Sequence, residues 1–289
     1  MTTAHSASGS AALPTLAAAM ARHEPIVMLT AYDYPSARVA VEAGVDVVLV
    51  GDSAAMTVLG YTTTRDIAVD ELLMLTRAVR RAVRGVPVIG DLPFGSYEHG
   101  DDEAVGTARR FVDEGGCDAV KLEGAGPMVS RVKAIVAAGI PVVGHVGLLP
   151  QSVITAEGYR SKGRDAVQAL GIIADAEALA QAGCAALVVE AVPAEIAALL
   201  AARVSIPVIG IGAGVGTHGQ VLVYHDLLGL GEGKLARFVR QYARGHADQV
   251  EAVKRWAEDV RTRRYPSEAE GYGVSAEVLA EVKKKLAEG

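Results

Sequence analysis

Short β-branched runs that stop at a chemically reactive residue recur along this chain, and their repetition constrains the fold more than any single motif. Val47-Val-Leu-Val50 closes on Gly51-Asp52-Ser53, Val88-Ile-Gly90 on Asp91, and Ala119-Val-Lys-Leu122 on Glu123. Val142-Val-Gly144 closes on His145 and Ala186-Leu-Val-Val189 on Glu190. Such runs, bounded by turn formers, read as strands. A first strand is expected over Pro25–Thr30, others near 45–50, 87–91, 119–123, 141–145, 186–190 and 207–211, and a weaker eighth over Gln220–Val223. Stretches rich in Ala, Leu, Arg and Glu near 34–43, 69–84, 102–114, 127–138, 164–182 and 193–202 read as the intervening helices.

Strands apolar on both faces and alternating with helices imply an α/β fold with a covered parallel sheet. Seven or eight such units in about 200 residues favour a closed (β/α)₈ TIM barrel over an open doubly wound sheet. Pro87, Pro141 and Pro207 each stand at a strand start, where a missing N–H is tolerated. The expected organisation is an N-terminal segment with a short helix (1–24), the catalytic barrel (25–232) and C-terminal helices (233–289) packed on the barrel or a neighbouring subunit. Those last helices are expected near 234–245, 248–262 and 275–287, and no linker marks off a second domain.

With 289 residues, 51% of them hydrophobic, the chain has ample material for a core. A net charge of −6 and the lack of a basic stripe with interleaved aromatics argue against nucleic acid or an anionic membrane as partner. The basic cluster Arg261-Thr-Arg-Arg264 reads as solvated helix surface. Cys117 and Cys184, far apart and without metal-type spacing, read as small core residues in a reducing compartment. Residues 11–21 are apolar but no Lys or Arg precedes Arg22, and no run reaches membrane-spanning length. A cytoplasmic protein is expected.

In a parallel barrel every strand ends on the same rim, which explains why reactive residues follow the strands. Asp52, Asp91, Glu123, His145 and Glu190 are expected around one mouth, with Ser53 and Lys121 beside them. Three carboxylates in a small ring repel one another unless a cation intervenes, and all-oxygen ligands point to Mg²⁺ or a similar hard ion. Asp52 and Asp91 are the first choices as ligands, with Glu123 binding directly or through water. Taken singly, Asp52 would cap the next helix and Asp91 a turn before Pro93; several carboxylates at matching strand ends favour the metal. Lys121 and Glu123, two apart on a strand, share a side, so the ammonium can hold a substrate carboxylate or enolate; an internal Lys–Glu pair is the alternative. Taken singly, His145 would be a hydrogen-bonded core histidine; its place after Val142-Val-Gly144 and close before Gly147 favours a donor to a substrate oxygen. Gly210-Ile-Gly-Ala-Gly-Val-Gly216 lacks dinucleotide spacing and serves either close approach of a ligand or a tight turn.

Together these residues resemble the ketopantoate hydroxymethyltransferase family of the phosphoenolpyruvate/pyruvate barrel superfamily, over about Ile26 to Pro266. The resemblance rests on Met28-Leu-Thr-Ala-Tyr-Asp-Tyr34, Val50-Gly-Asp-Ser53, Asp91-Leu-Pro-Phe94, Val120-Lys-Leu-Glu-Gly124, Gly144-His-Val-Gly-Leu148, Pro150-Gln-Ser-Val153, Glu190-Ala-Val-Pro193 and Val208-Ile-Gly-Ile-Gly-Ala-Gly214 with Gln220. It implies a Mg²⁺-dependent enzyme of pantothenate biosynthesis that moves a one-carbon unit from 5,10-methylenetetrahydrofolate to the 2-oxo acid 3-methyl-2-oxobutanoate. It also implies metal on Asp52 and Asp91 with Glu123 nearby, substrate against Ser53, Lys121 and His145, Glu190 as general base, and a homo-oligomer, commonly a decamer.

Several positions depart from the family pattern. Thr62-Thr-Thr-Arg65 replaces an acidic residue followed by Ser-Thr-Leu, Leu75 a frequent His, Leu149 a Thr, and Glu157-Gly-Tyr159 a Gly-Gly-Tyr; the tail carries Glu270-Gly-Tyr-Gly273 and an added charged helix. A paralogue acting on another 2-oxo acid is therefore an alternative. A C–C lyase or mutase of the superfamily would usually carry a Cys-Gly-His loop, which is absent here. A barrel retained only for binding is disfavoured by the intact carboxylates.

Overall fold

The computed structural model describes residues 14–153, 160–231 and 235–288. The chain divides into two compact units, Met1–Gln241 and Tyr242–Gly289. In the first, eight strands close a parallel barrel in sequence order: β1 (Ile26–Thr30), β2 (Val47–Val50), β3 (Val88–Asp91), β4 (Ala119–Glu123), β5 (Val142–Gly147), β6 (Ala186–Glu190), β7 (Val208–Ile211) and β8 (Gly219–Leu222). The fold expected from the repeats is thus the observed TIM barrel, each strand within a few residues of its expected place.

The helices are α1 (Pro14–Ala21), α2 (Tyr34–Glu42), α3 (Ala54–Thr57), α4 (Val69–Ala82), α5 (Asp101–Asp113), α6 (Met128–Ala137), α7 (Ala166–Gln181), α8 (Ala194–Arg203) and α9 (Tyr224–Leu228). The short α3 and α9, and 3-10 turns at Thr64–Asp66 and Pro150–Ser152, are additions to the expected pattern, too brief for a periodic signal. Local chemistry sets the ends of several helices. Asp33 caps α2 by accepting from the Ser36 N–H at 2.8 Å, and Asp165 caps α7 through the Gln168 N–H at 2.9 Å. Pro87, Pro141 and Pro207 offer only their carbonyls, which accept from Val48, Val120 and Leu187 of the neighbouring strands.

Two apolar layers result. Outward-facing residues pack under the helices, for instance Val48, Val120 and Leu187 with Leu72, Phe111 and Leu179. Inward-facing Ile26, Met28, Val47, Ile89, Val143 and Ile209 fill the barrel, joined by Leu16 from α1, which is 2% exposed. The apolar segment near the N-terminus therefore contributes to the core.

The glycines preceding Asp91 and His145 have a packing cause. A Cβ on Gly90 would lie 2.5 Å from the Phe111 ring and 2.7 Å from Cys117 Sγ; one on Gly144 would lie 2.9 Å from Leu187 and 3.2 Å from Cys184 Sγ. Both cysteines are free, buried and seated against a glycine on a strand, in agreement with their reading as small core residues. The loop from Gly210 to Gly216 is likewise shaped by the protein itself: Cβ atoms on Gly212 and Gly214, both at positive φ, would collide with the Phe238 ring and with Ala194 of α8.

One expectation is corrected. Residues 235–244 are not helical. Residues 237–238 form a turn in which the Val239 N–H donates to the Ala236 carbonyl at 3.0 Å, and Ala236 and Phe238 both line the cavity at the barrel mouth.

In the second unit, α10 (Gly245–Arg261) and α11 (Ala276–Ala287) flank a 3-10 turn at Glu268–Glu270, and Trp256 meets the Tyr265 ring edge-on at 6.4 Å. Arg261 and Arg264 are exposed, and Arg264 pairs with Asp259. No described helix is long and apolar enough to cross a membrane.

Gly90→Ala is expected to destabilise the protein by about 1–3 kcal/mol through overpacking. A thermal unfolding midpoint equal to that of the wild type would show that the Phe111–Cys117 contact leaves room for a methyl group.

Candidate active site

The C-terminal ends of the strands surround a cavity of about 270 Å³ lined by Asp52, Ser53, Asp91, Lys121, Glu123, His145 and Glu190. All seven residues selected from the sequence thus meet at one place. Strand register explains how: Asp91 lies opposite Lys121, Glu123 opposite His145, and Glu190 opposite Gly147. Side chains two apart on a strand share a face, so Lys121 and Glu123 both point inward above the apolar filling.

Lys121 Nζ lies 2.7 Å from Asp91 Oδ1 and 3.8 Å from Glu123 Oε1. His145 bridges two carboxylates, with Nδ1 3.3 Å from Glu123 Oε1 and Nε2 3.3 Å from Glu190 Oε2. These are ion-pair distances without good hydrogen-bond alignment: Asp91 Oδ1, Glu123 Oε1 and His145 Nε2 are buried and lack a well-directed partner. Asp52 does not cap α3. Its carboxylate accepts from Gln151 Nε2 at 2.9 Å, while its backbone N–H donates to Asp91 Oδ2 at 3.2 Å.

Burial sets the electrostatics. It drives the Asp52 carboxyl well above the usual carboxylate range, and the charges of Asp91 and Glu123 push it further. Asp91 is also raised by burial, with Lys121 opposing. For Glu123 burial acts upward, but His145 and Lys121 together hold it low. Burial would lower Lys121, yet the surrounding Asp91, Glu123 and Asp52 carboxylates keep it raised. For His145, burial and the Lys121 charge act downward, and the adjacent Glu123 and Glu190 carboxylates outweigh them, so its pKa is pushed up to about 9.

The donor set fits a hard divalent cation. Four carboxylates face one ammonium and one imidazole, and two of the buried carboxylate oxygens lack directed hydrogen bonds. Among the described residues no three His, Cys, Asp or Glu groups form a ready-made cage. An ion such as Mg²⁺ needs none, since it keeps several waters and takes only one or two carboxylates.

Gln151 organises the site and was not selected from the sequence, although it lies within the quoted Pro150-Gln-Ser-Val153. Besides its bond to Asp52, its side chain donates to the Leu92 carbonyl at 3.0 Å and accepts from Tyr97 Oη at 2.5 Å. Its backbone N–H donates to Glu123 Oε2 at 3.0 Å. Tyr97 Oη in turn accepts from the Glu123 N–H at 3.3 Å. Ser53 Oγ is held by Tyr32 Oη at 2.8 Å. After Glu190 the chain turns at once through Ala191, at φ 50°, an uncommon conformation for a residue with a side chain.

The departures from the family pattern fall unevenly. Leu75 is buried in the layer between strands and helices, and Leu149 lies against Gly124; neither lines the cavity. Thr64 does line it, with a buried Oγ without a partner, while Arg65 stacks on the Phe94 ring at 3.8 Å. Glu157-Gly-Tyr159 lies outside the described residues. A larger cavity, about 520 Å³, opens at the opposite end of β1 and β8, beside His23 and His218, away from the carboxylates.

A parallel barrel whose mouth gathers carboxylates, an ammonium and an imidazole defines a TIM-barrel enzyme, and comparison with known proteins narrows this class. The sequence profile of the ketopantoate hydroxymethyltransferase family matches residues 10–268. The 3-methyl-2-oxobutanoate hydroxymethyltransferase of Geobacillus kaustophilus (strain HTA426) is 48% identical over 254 residues, 88% of this chain and 91% of that protein. The enzyme of the same name from Moorella thermoacetica (strain ATCC 39073 / JCM 9320) is 48% identical over 260 residues, 90% of this chain and 97% of that protein. Among solved structures, phosphonopyruvate hydrolase in complex with oxalate and Mg²⁺ superposes with a TM-score of 0.59 at 12% identity, covering 95% of this chain and 96% of the other. A 2,3-dimethylmalate lyase of the phosphoenolpyruvate mutase/isocitrate lyase superfamily gives 0.54 at 17% identity, covering 96% and 98%. At these identities the two structures share the fold alone. The chain belongs to the ketopantoate hydroxymethyltransferase family and is a hydroxymethyltransferase of pantothenate biosynthesis.

Glu123→Gln removes a carboxylate that favours the charged imidazole while leaving burial and Lys121 to disfavour it. NMR titration of the metal-free protein is expected to place the His145 pKa below that of the wild type. An unchanged or higher value would contradict the coupling.

Proposed function

We propose that this enzyme transfers a hydroxymethyl group from 5,10-methylenetetrahydrofolate to 3-methyl-2-oxobutanoate, giving 2-dehydropantoate. The observation that carries the reading is the convergence of Asp52, Ser53, Asp91, Lys121, Glu123, His145 and Glu190 on one small cavity. Asp52 and Asp91 would hold a Mg²⁺ ion, with Glu123 binding directly or through water. When bound, the ion supplies Lewis-acid polarisation of the 2-oxo group, which makes the neighbouring C3–H more acidic.

The remaining steps fall to the protein's own groups. Lys121 sets its ammonium against the substrate carboxylate, and Ser53 and His145 donate to substrate oxygens. Negative charge developing on the keto oxygen would face Lys121 and His145, donors held in place before the reaction begins. Glu190, at the edge of the cavity, takes the C3 proton; the electron pair released at C3 forms the new C–C bond to the one-carbon unit. The methylene carbon's bond to N10 breaks as this bond forms, and water then displaces N5 there, giving its hydroxyl to the product. The C3 proton carried by Glu190 goes to N10 and the other water proton to N5, so tetrahydrofolate leaves with both N–H groups restored. The polar side of the cavity suits the α-oxo carboxylate, and Val188, Ile211 and Val221 suit its branched alkyl end.

We further propose that the enzyme works in the cytoplasm as a homo-oligomer, in keeping with the family resemblance. Val250, Val253, Trp256 and Val260 form an exposed apolar stripe along α10, which supports burial against a second copy.

Two variants test the assignments. Glu190→Gln is expected to keep Mg²⁺ binding and to slow exchange of the C3 proton of 3-methyl-2-oxobutanoate with D₂O, followed by NMR, by at least about 10². Near-normal exchange would remove Glu190 from its role. Asp52→Ala is expected to weaken Mg²⁺ binding measured by calorimetry, and an unchanged isotherm would show the ligand assignment to be wrong.

A further inference from the structure

The cavity has two unlike walls. The ends of β2 to β6 carry every polar group assigned above to metal, 2-oxo acid and base. The opposite wall is apolar, made by Ile211, by Val221 to Val223 at the end of β8, and by Ala236 and Phe238. A single carboxylate stands there, Asp226 of α9. It is half-buried, and its side chain makes no hydrogen bond or ion pair among the described residues. Burial alone acts on it, raising its pKa. Nothing in the proposed chemistry uses it.

The reaction itself dictates what must meet this wall, given 5,10-methylenetetrahydrofolate as donor, the reading on which this inference rests. The one-carbon unit has to reach C3 of the 2-oxo acid. Its carbon is bonded to N5, an atom of the pterin bicycle, so the bicycle must enter the same cavity on the side away from the metal ligands. A pterin carries two adjacent donors on one edge, N3–H and the 2-amino group. Burying them without an acceptor is costly, and a carboxylate can accept both side by side.

Among the described residues, the one cavity-lining hydroxyl without a hydrogen-bond partner is Thr64 Oγ, and one neutral hydroxyl cannot accept both pterin donors side by side as a carboxylate can. Thr30 Oγ accepts from the Tyr224 N–H at 2.8 Å, Ser53 Oγ is engaged by Tyr32, and Thr57 Oγ donates to the Ser53 carbonyl at 2.9 Å. We propose that Asp226 determines specificity for the one-carbon donor by accepting both hydrogen bonds from the amino–imino edge of the pterin, while Phe238 and Val221 to Val223 cover its faces.

Calorimetric binding of tetrahydrofolate, and of its 2-desamino-2-methyl analogue, to the Mg²⁺-loaded enzyme tests this directly. Wild type is expected to prefer tetrahydrofolate by about 10- to 100-fold, the range for a hydrogen bond to a charged group. Asp226→Asn is expected to lose most of that ratio, and Asp226→Glu to regain part of it. Equal binding of the two compounds by wild type, or a full preference surviving in Asp226→Asn, would overturn the assignment of Asp226. Failure of wild type to bind tetrahydrofolate at all would overturn the donor reading instead. Equal binding by wild type overturns the assignment without any variant, and should Asp226→Asn fail to fold, Asp226→Glu, whose ratio is expected to fall below that of wild type, carries the test.

Discussion

The buried ammonium of Lys121, 2.7 Å from Asp91 and 3.8 Å from Glu123, is the interaction on which the rest of this site depends. Carboxylates taken out of water repel one another and lose hydration, and without an enclosed cation the group would not stay ionised. Lys121 answers part of that imbalance from inside β4, and His145 answers another part from β5. The two together still leave carboxylate in excess. A site left with surplus buried negative charge is suited to a divalent ion and to an anionic substrate that shares it.

The barrel makes this arrangement tolerable. Parallel strands in register bring Asp91 level with Lys121 and Glu123 level with His145, so charges of opposite sign are neighbours on adjacent strands. Below them the barrel is filled by Ile89, Val143, Ile209 and their inward-facing companions, which keeps the polar layer at the mouth. Outside, Gly90 and Gly144 admit Phe111 and Leu187 close against the strands directly before Asp91 and His145. Packing outside the barrel therefore fixes where the reactive side chains stand inside it. The fold alone is shared with lyases and hydrolases, and the chemistry is decided by these side chains.

Much of this was legible in the sequence because strand ends in a parallel barrel convert spacing along the chain into proximity. The β-branched runs located the strands, and the residues closing them located the mouth. Gln151 escaped notice because it lies in a 3-10 turn, where no periodicity marks which side chain points inward; its role emerges only from contacts with Asp52, Leu92 and Tyr97, which are remote in sequence. The Ala- and Arg-rich stretch 235–244 reads as helix by composition, yet tertiary contacts of Ala236 and Phe238 override that propensity. Asp226 carried no signal either, since a lone Asp three residues past the weak eighth strand does not repeat the pattern of a reactive residue directly closing a β-branched run. Of the departures within the barrel unit, the segment containing Thr64 reaches the cavity, whereas Leu75 is buried in apolar packing and Leu149 lies against Gly124.

Excess buried carboxylate at the mouth implies that metal and 2-oxo acid bind as linked partners. The direct measurement is calorimetric titration of 3-methyl-2-oxobutanoate into the wild-type enzyme, once with Mg²⁺ and once with EDTA. Binding at least about tenfold tighter with Mg²⁺, a difference of about 1.4 kcal/mol, is the expected result. Equal affinity in the two solutions would contradict a cation shared between the substrate and Asp52 and Asp91.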